Sequence, residues 1–294
     1  MASALTHPDR VYYPDQNITK RDVRDYYRAV ADHLLPHAAG RPLSLVRCPG
    51  GIGEGCFFQR HYSESLPKGL NALPLLEKSG AAADYLTIED TSGLDALAQI
   101  GALEIHPWGS KAVQVELPER LVFDLDPDAG LDFADVKAAA LTVRALLDAA
   151  GLKPFVMLTG GKGVHVIAPL IPEADWNIAK EFARTVARVL AAQEPTRFVA
   201  EASRKKREGR IFIDWLRNQR GQTSVCPYSL RARPGAPVAT PLRWDELVRA
   251  DSGALNSMRT IPRRLGALKS DPWTGYFDSA QTLSPAALKV LKRA

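Results

Sequence analysis

Apolar residues recur along this chain at two spacings. Between Phe133 and Ala149, and again from about Ala174 to Gln193, they fall three and four apart, which predicts two long amphipathic helices, the first closed at Gly151. Thr19 stands as an N-cap ahead of Val23, Tyr26, Tyr27 and Val30, predicting another helix that closes near Pro36. Short helices are expected at Leu242 to Arg249, Pro262 to Leu268 and Pro285 to Lys292. Elsewhere the apolar residues come in short runs bounded by turn formers. Leu43 to Arg47, Asp84 to Ile88, Leu121 to Asp128 and Ile211 to Trp215 read as strands, and Phe155 to Ile167 as strand, glycine turn, strand. Helix and strand patterns alternate with no internal repeat, and a chain of this length can bury a large core. The expected fold is α/β: two mixed β-sheets with flanking helices around a central active-site cleft. One sheet carries the acids described next, and the other, with the N-terminal region, forms a wall.

The polar residues inside the strands carry the chemistry. Asp124 and Asp126 interrupt Leu121-Val122-Phe123-Asp124-Leu125-Asp126-Pro127, and Asp214 interrupts Ile211-Phe212-Ile213-Asp214-Trp215. Residues i and i+2 of a strand share a face, so Asp124 and Asp126 project together, and Pro127 ends the strand beyond them. Such a pair is costly to bury without a cation. With a third acid from a neighbouring strand it can hold two hard divalent ions, an arrangement suited to in-line attack at phosphorus. Loop capping or pairing with arginines is the plainer alternative for an isolated Asp-x-Asp. Phosphatases with a carboxylate nucleophile also use the motif, but the Pro after Asp126 and the mid-chain position fit them poorly.

Between the acids lies Thr159-Gly160-Gly161-Lys162-Gly163-Val164-His165-Val166. Glycines let backbone N–H groups approach an anion closely, Lys162 adds a point charge at the turn, and His165 faces opposite to Val164 and Val166. An ordinary hairpin would look the same in isolation. A P-loop is excluded, since the Gly-x4-Gly-Lys-Ser/Thr pattern is absent and a strand follows. Arg204-Lys205-Lys206-Arg207 and Arg210 precede the third acid, while Arg217, Arg220, Arg231 and Arg233 follow it. Cations flanking an acidic centre are what polyphosphate chemistry needs, although a basic run is also a common solvated loop.

Phe-Asp-Leu-Asp-Pro, Thr-Gly-Gly-Lys-Gly-Val-His-Val and Ile-Phe-Ile-Asp-Trp-Leu, in that order, resemble the polymerase domain of bacterial DNA ligase D, a member of the archaeo-eukaryotic primase superfamily. Leu103-Glu104-Ile105-His106-Pro107-Trp108 and the Pro-rich stretch from Tyr228 to Pro241 are similar to further family segments, and the resemblance runs from about Arg10 to about Leu268. It implies a primase-like fold forming a single primase-polymerase domain over 1–294. Within it, about 1–100 would make a DNA-end-binding wall, about 101–241 the catalytic sheet and nucleotide loop, and about 242–294 C-terminal helices. It implies template-directed nucleotidyl transfer at double-strand breaks in non-homologous end joining, with gap filling, end addition and a preference for ribonucleotides. Asp124, Asp126 and Asp214 would hold two ions, Mn²⁺ or Mg²⁺. Lys162, His165, Arg231 and Arg233 would grip the nucleoside triphosphate, with Thr159 and His106 beside it; Thr159 stands where the family often has Ser. Phe57 or Phe58 would offer an aromatic platform to a base, and Arg10 with Lys20 would take a 5′-phosphate. The implied partners are gapped or broken DNA, Ku, and ligase and phosphoesterase domains of the same enzyme. Two rival readings are a break-end bridging module without chemistry and a metal-dependent phosphatase or nuclease. Three convergent acids argue against the first, and Arg231 with Arg233 against the second.

Composition adds little. Over 294 residues, 38 Lys and Arg against 33 Asp and Glu leave a net charge of +5, which permits an anionic partner without requiring one. Cys48, Cys56 and Cys226 are read as making neither a disulfide framework nor a zinc site, in keeping with a reducing cytoplasm, and the resemblance implies a place at the nucleoid. No stretch, the first residues included, looks like a signal peptide or a membrane span. The adenylation signature Lys-x-Asp-Gly is absent, so the chain is expected either to stand alone or to be part of a longer enzyme.

Overall fold

The structure is a computed structural model that describes residues 4–77 and 79–291. Met1 to Ser3, the start of the supposed leaderless N-terminus, and Lys292, the expected end of the last helix, lie outside the described residues. In chain order the elements begin with β1 (Val11–Tyr13), β2 (Ile18–Thr19), α1 (Lys20–Ala29), α2 (Ala31–Ala38), β3 (Leu43–Arg47) and β4 (Phe57–Gln59). Next come β5 (Asn71–Leu76), β6 (Ala82–Thr87), α3 (Thr91–Gln99), β7 (Ala102–Pro107), β8 (Arg120–Pro127) and α4 (Phe133–Ala149). Then follow β9 (Phe155–Leu158), β10 (Val164–Pro169), α5 (Trp176–Gln193), β11 (Phe198–Val199) and β12 (Ile211–Asp214). The last are β13 (Thr240–Leu242), α6 (Trp244–Arg249), α7 (Ile261–Ala267) and α8 (Pro285–Leu291). No helix among the described residues is long and apolar enough to cross a membrane.

The chain forms two compact units built from interleaved segments. The first takes residues 1–108, 225–240 and 256–269, and the second takes 109–224, 241–255 and 270–294. In the first, β3 pairs antiparallel with β7 along its length, with β4 over its second half and with β6 at Leu43, while β5 pairs with β6. Leu43, Leu45, Ile105, Val23, Tyr27 and Leu34 meet in one core, which Tyr228, Leu230, Val238 and Ile261 complete. Thr19 caps α1 in a capping box with Asp22, as its sequence position predicts. Pro36 does not close that helix. It lies inside α2, which follows α1 after a break at Val30, so the missing N–H falls in a second short helix.

The cysteine expectation is also corrected. Cys48 and Cys56 form a disulfide, with Cα atoms 4.4 Å apart, and Cys226 is buried apart from it. The reason is register. Arg47 pairs with Phe57 across β3 and β4, so the next residues outward, eight apart in sequence, face each other across the hairpin. Spacing alone gives no sign of this, because it depends on a strand, β4, that carries no clear pattern.

The second unit is a six-stranded sheet in the order β11-β12-β8-β10-β9-β13, mixed because β11 and β12 run parallel. Its strands alternate as their sequence predicts. Leu121, Phe123 and Leu125 of β8, Val164 and Val166 of β10, and Ile211 and Ile213 of β12 all turn into one core. The apolar stripes of α4 (Val136, Ala139, Ala140, Val143, Leu146, Leu147) and α5 (Ala179, Phe182, Ala183, Val186, Ala187, Leu190) cover that face. At roughly 1.5–3 kcal/mol for each large side chain buried, this face holds the sheet rigid and leaves the opposite face for polar groups.

One side chain extends the sheet. β12 pairs with β8 only as far as Asp214 opposite Asp124, so Val122 loses its strand partner on that side. Asn218 replaces it: Val122 N–H donates to Asn218 Oδ1 at 2.7 Å, and Asn218 Nδ2 donates to Val122 O at 2.7 Å. Asn218 is fully buried. Asn218→Ala orphans both groups of Val122 and is expected to cost about 2–4 kcal/mol. Urea unfolding measures it, and an unchanged midpoint would mean that water replaces the amide without loss.

Candidate active site

The register of the six-stranded sheet assembles the acids. β8 lies between β12 and β10, and Asp124 faces Asp214 across one ladder and His165 across the other. Directly opposed residues share a face, and Asp126 joins them two positions along β8. All four project from the face that α4 and α5 leave uncovered. One oxygen each of Asp124, Asp126 and Asp214 lies within 4.8 Å of the others. His165 Nε2 is 3.3 Å from Asp124 Oδ1. Leu216 N–H donates to Asp214 Oδ1 at 3.0 Å. Two of the arginines that flank the third acid in sequence complete the group, and both turn to the carboxylates. Arg217 sets Nη2 3.1 Å from Asp124 Oδ2 and Nε 3.2 Å from Asp214 Oδ2, and Arg207 Nη1 is 3.9 Å from Asp126 Oδ2.

The three carboxyls titrate apart. Burial pushes Asp124 up, but His165 and Arg217 outweigh it and hold the group down at about 2. Asp126 is raised to about 6 by burial and by the charges of Asp124 and Asp214. Burial also raises Asp214, against the pull of Arg217. An acid lifted by its own neighbours is one that a cation would stabilise, and three carboxylates form a hard oxygen donor set of the kind that takes a divalent ion. His165 is buried, and its Nδ1 has no hydrogen-bond partner among the described residues. The residues therefore fit a divalent metal centre.

Between β9 and β10 the glycine turn forms as its sequence predicts, with Gly160 at φ +68. Thr159 is buried and donates its hydroxyl to Gly163 O at 2.9 Å, so it closes the turn. A Cβ on Gly163 would sit 2.7 Å from Leu125 O, which explains the glycine beside the acid strand. Lys162 is exposed at the tip, and its charge lowers the pKa of Asp128 after the backbone N–H groups of Gly209 and Ala129.

The other expected site residues belong to the first unit. His106 and Arg231 meet at a carboxylate to which the family resemblance assigns no role. Glu104 lies 2.8 Å from His106 Nε2 and 3.0 Å from Arg231 Nε, and its other oxygen accepts from Ala232 N–H at 2.9 Å. Burial pushes Glu104 up, yet His106 and Arg231 prevail and hold it at about 2. The Glu-x-His spacing on β7, which puts both side chains on one face, was the available signal. Arg233 is exposed two residues further on. Phe57 and Phe58 are both exposed, with Arg47 stacked 5.2 Å over the Phe57 ring. Lys20 N–H donates to Arg10 O, which brings the two residues side by side. Lys20 is buried, its ammonium donating to Thr6 O and Gln99 Oε1, and burial followed by the charge of Arg10 lowers its pKa.

A sheet that presents three acids, a histidine and a glycine turn on one face fits a divalent metal centre of the kind that handles phosphate groups. Comparison narrows the class. The family described as LigD, primase-polymerase domain, matches residues 19–273. The multifunctional non-homologous end joining protein LigD of Pseudomonas aeruginosa is 36% identical over 98% of this chain and 34% of its own length. Mycobacterium tuberculosis LigD is 37% identical over 83% and 33%. The solved polymerase domain of Mycobacterium tuberculosis ligase D in complex with DNA superposes with a TM-score of 0.86 at 32% identity, covering 95% of this chain and 99% of that one. This chain belongs to the LigD primase-polymerase domain family, nucleotidyltransferases of the DNA-directed, primase-type polymerase class. It spans about a third of the length of those two LigD proteins.

Glu104→Gln tests the cluster in the first unit. Without the charge, Arg231 and His106 lose their shared anchor, and stability at pH 7 should fall by about 1–3 kcal/mol in urea unfolding. The folded pKa of Glu104 lies below the unfolded value of roughly 4.3, so its contribution is present above that pH and fades as pH falls toward about 2. The variant and the parent should therefore converge in acid. A constant gap down to pH 2 would show that the loss is steric.

Proposed function

We propose that the chain carries out template-directed addition of nucleotides at DNA breaks, filling gaps and extending ends in bacterial non-homologous end joining, with ribonucleotides preferred. The observation that carries this is the register Asp214–Asp124–His165 across three neighbouring strands, with Asp126 beside it. Asp124, Asp126 and Asp214 would hold two ions, Mn²⁺ or Mg²⁺, which when bound acidify the primer 3′-hydroxyl and neutralise the pyrophosphate leaving group. His165 keeps Asp124 charged and oriented. Lys162 reaches for the phosphates from the glycine turn, and Arg231 and Arg233 bind the triphosphate, with Glu104 fixing the rotamer of Arg231 and of His106. Thr159 acts through the shape of the turn. Phe58, more exposed than Phe57 and not engaged by Arg47, is the base platform. We assign one primase-polymerase domain to 1–294, with about 1–100 binding the DNA end, about 101–241 carrying catalysis and about 242–294 forming C-terminal helices. Its partners would be gapped or broken DNA, Ku, and ligase and phosphoesterase domains, in the cytoplasm at the nucleoid.

Primer extension on a gapped, 5′-phosphorylated duplex, with each nucleotide and each metal, tests the reading. Asp124→Ala, Asp126→Ala and Asp214→Ala should each lower addition by roughly 10³-fold or more while DNA binding survives. Near-normal extension by Asp214→Ala would refute the three-acid centre, and faster use of deoxyribonucleotides would remove the sugar preference.

Arg10 and Lys20 are assigned to the 5′-phosphate at the far side of the gap. A buried ammonium beside a guanidinium, its pKa lowered by both burial and that neighbour, gains from a dianion. Arg10→Ala with Lys20→Ala should weaken binding to a 5′-phosphorylated gap far more than to a gap ending in hydroxyl, and the parent's preference should shrink as salt rises. A double variant that keeps the full preference would move the phosphate pocket elsewhere.

A further inference from the structure

Arg217 lies where the acid triad would also receive a cation. Its Nη2 is 3.1 Å from Asp124 Oδ2 and its Nε 3.2 Å from Asp214 Oδ2, so one guanidinium spans two of the three carboxylates. The contact is built into the fold. Leu216 N–H is bound to Asp214 Oδ1, and Asn218 is clamped to Val122 of β8, so the residues on both sides of Arg217 are tied to the strands that carry the acids. The turn delivers the head group to the centre, and only the side chain is free to leave it.

We infer that Arg217 is a resident counter-cation of the triad that competes with the divalent metal for Asp124 and Asp214, so that loading the metal requires the guanidinium to give way. The inference rests on the reading of the triad as a metal centre. Three carboxylates gathered on one face repel each other, and a fixed positive charge relieves that repulsion without a metal. A divalent ion bound to the same oxygens would meet the guanidinium at close range and be repelled by it. The hold on Asp214 is also a loose one. Nε is buried and close to the carboxylate, yet it is not aimed to make a hydrogen bond there or to any other described residue. The side chain is about a third exposed (34%), and its Nη1 already reaches Thr223 O at 3.4 Å, which offers the head group a route away from the acids. A guanidinium that served only to orient the ligands would have the opposite effect on the metal, tightening its binding.

Mn²⁺ binding without nucleotide decides between the two. The whole chain is titrated with Mn²⁺ at pH 7.5 by calorimetry, with free Mn²⁺ read by electron paramagnetic resonance, for the parent, Arg217→Gln, Arg217→Lys and Asp124→Asn. Arg217→Gln should bind at least tenfold more tightly than the parent. Its metal-free form should melt at a lower temperature, and saturating Mn²⁺ should raise its melting temperature by more than it raises the parent's. Arg217→Lys keeps a charge but cannot span both carboxylates, so its affinity should lie between the two; it carries the test if the neutral variant does not fold metal-free. Equal or weaker Mn²⁺ binding by the Arg217 variants, with binding lost in Asp124→Asn, overturns the competition while sparing the metal centre. Unchanged binding in Asp124→Asn refutes the metal centre itself, and the inference falls with it.

Discussion

Like charges held together on the open face of an otherwise apolar sheet set the terms for the second unit. Asp124, Asp126 and Asp214 cannot separate, because β-register fixes them and the packing of α4 and α5 fixes the register. A shift of β12 by one residue would turn Asp214 into the core and Ile213 out of it, which costs a buried charge and an exposed aliphatic at once. The surroundings answer that repulsion from each side. His165 lies across one ladder, Arg217 reaches in from the turn after β12, and Arg207 approaches Asp126 while its guanidinium stacks 3.8 Å over Phe212. The divergent pKa values follow from this unequal sharing. The acid held by both His165 and Arg217 stays ionised, and the one with the weakest partner is raised.

The first unit shows the reverse balance. There one carboxylate, Glu104, is surrounded by a histidine, an arginine and a backbone N–H, and its affinity for protons collapses. Donors set around a buried anion are kept in place by it, so Glu104 acts as an internal template for His106 and Arg231. The two units therefore prepare opposite local fields from the same few side-chain types, through the number of partners each carboxylate is given.

The sequence showed most where a local pattern and a tertiary requirement coincide. Asp124-x-Asp126 in an apolar strand, the Gly160 turn, the α4 helix and the Thr19 cap could all be read because period, polarity and turn chemistry agree there. The family motifs then supplied the roles. What could not be read depended on pairing. The Cys48–Cys56 bond needs β3 and β4 in a given register, and β4 is a three-residue strand with no alternation. Pro36 misled because two short helices follow one another almost without a gap. Arg217 could be read only as one of the cations flanking the acids, and Asn218 gave no signal, since nothing local says that the turn after β12 folds back along β8. Glu104 was visible as one of a pair with His106, but its partner Arg231 is more than a hundred residues away.

The segmentation of the units has a consequence for how the chain acquires its structure. Going from residue 108 to 109, 224 to 225, 240 to 241, 255 to 256 and 269 to 270, the polypeptide passes from one unit to the other five times. The first unit lacks its final piece, residues 256–269, until translation has gone well past the whole acid sheet. The usual order, in which an N-terminal body completes itself while the rest is still being made, is therefore closed to this chain. Early segments such as α1 and β3 must wait on the ribosome with part of their apolar surface uncovered. No single cut in the gene separates the two units.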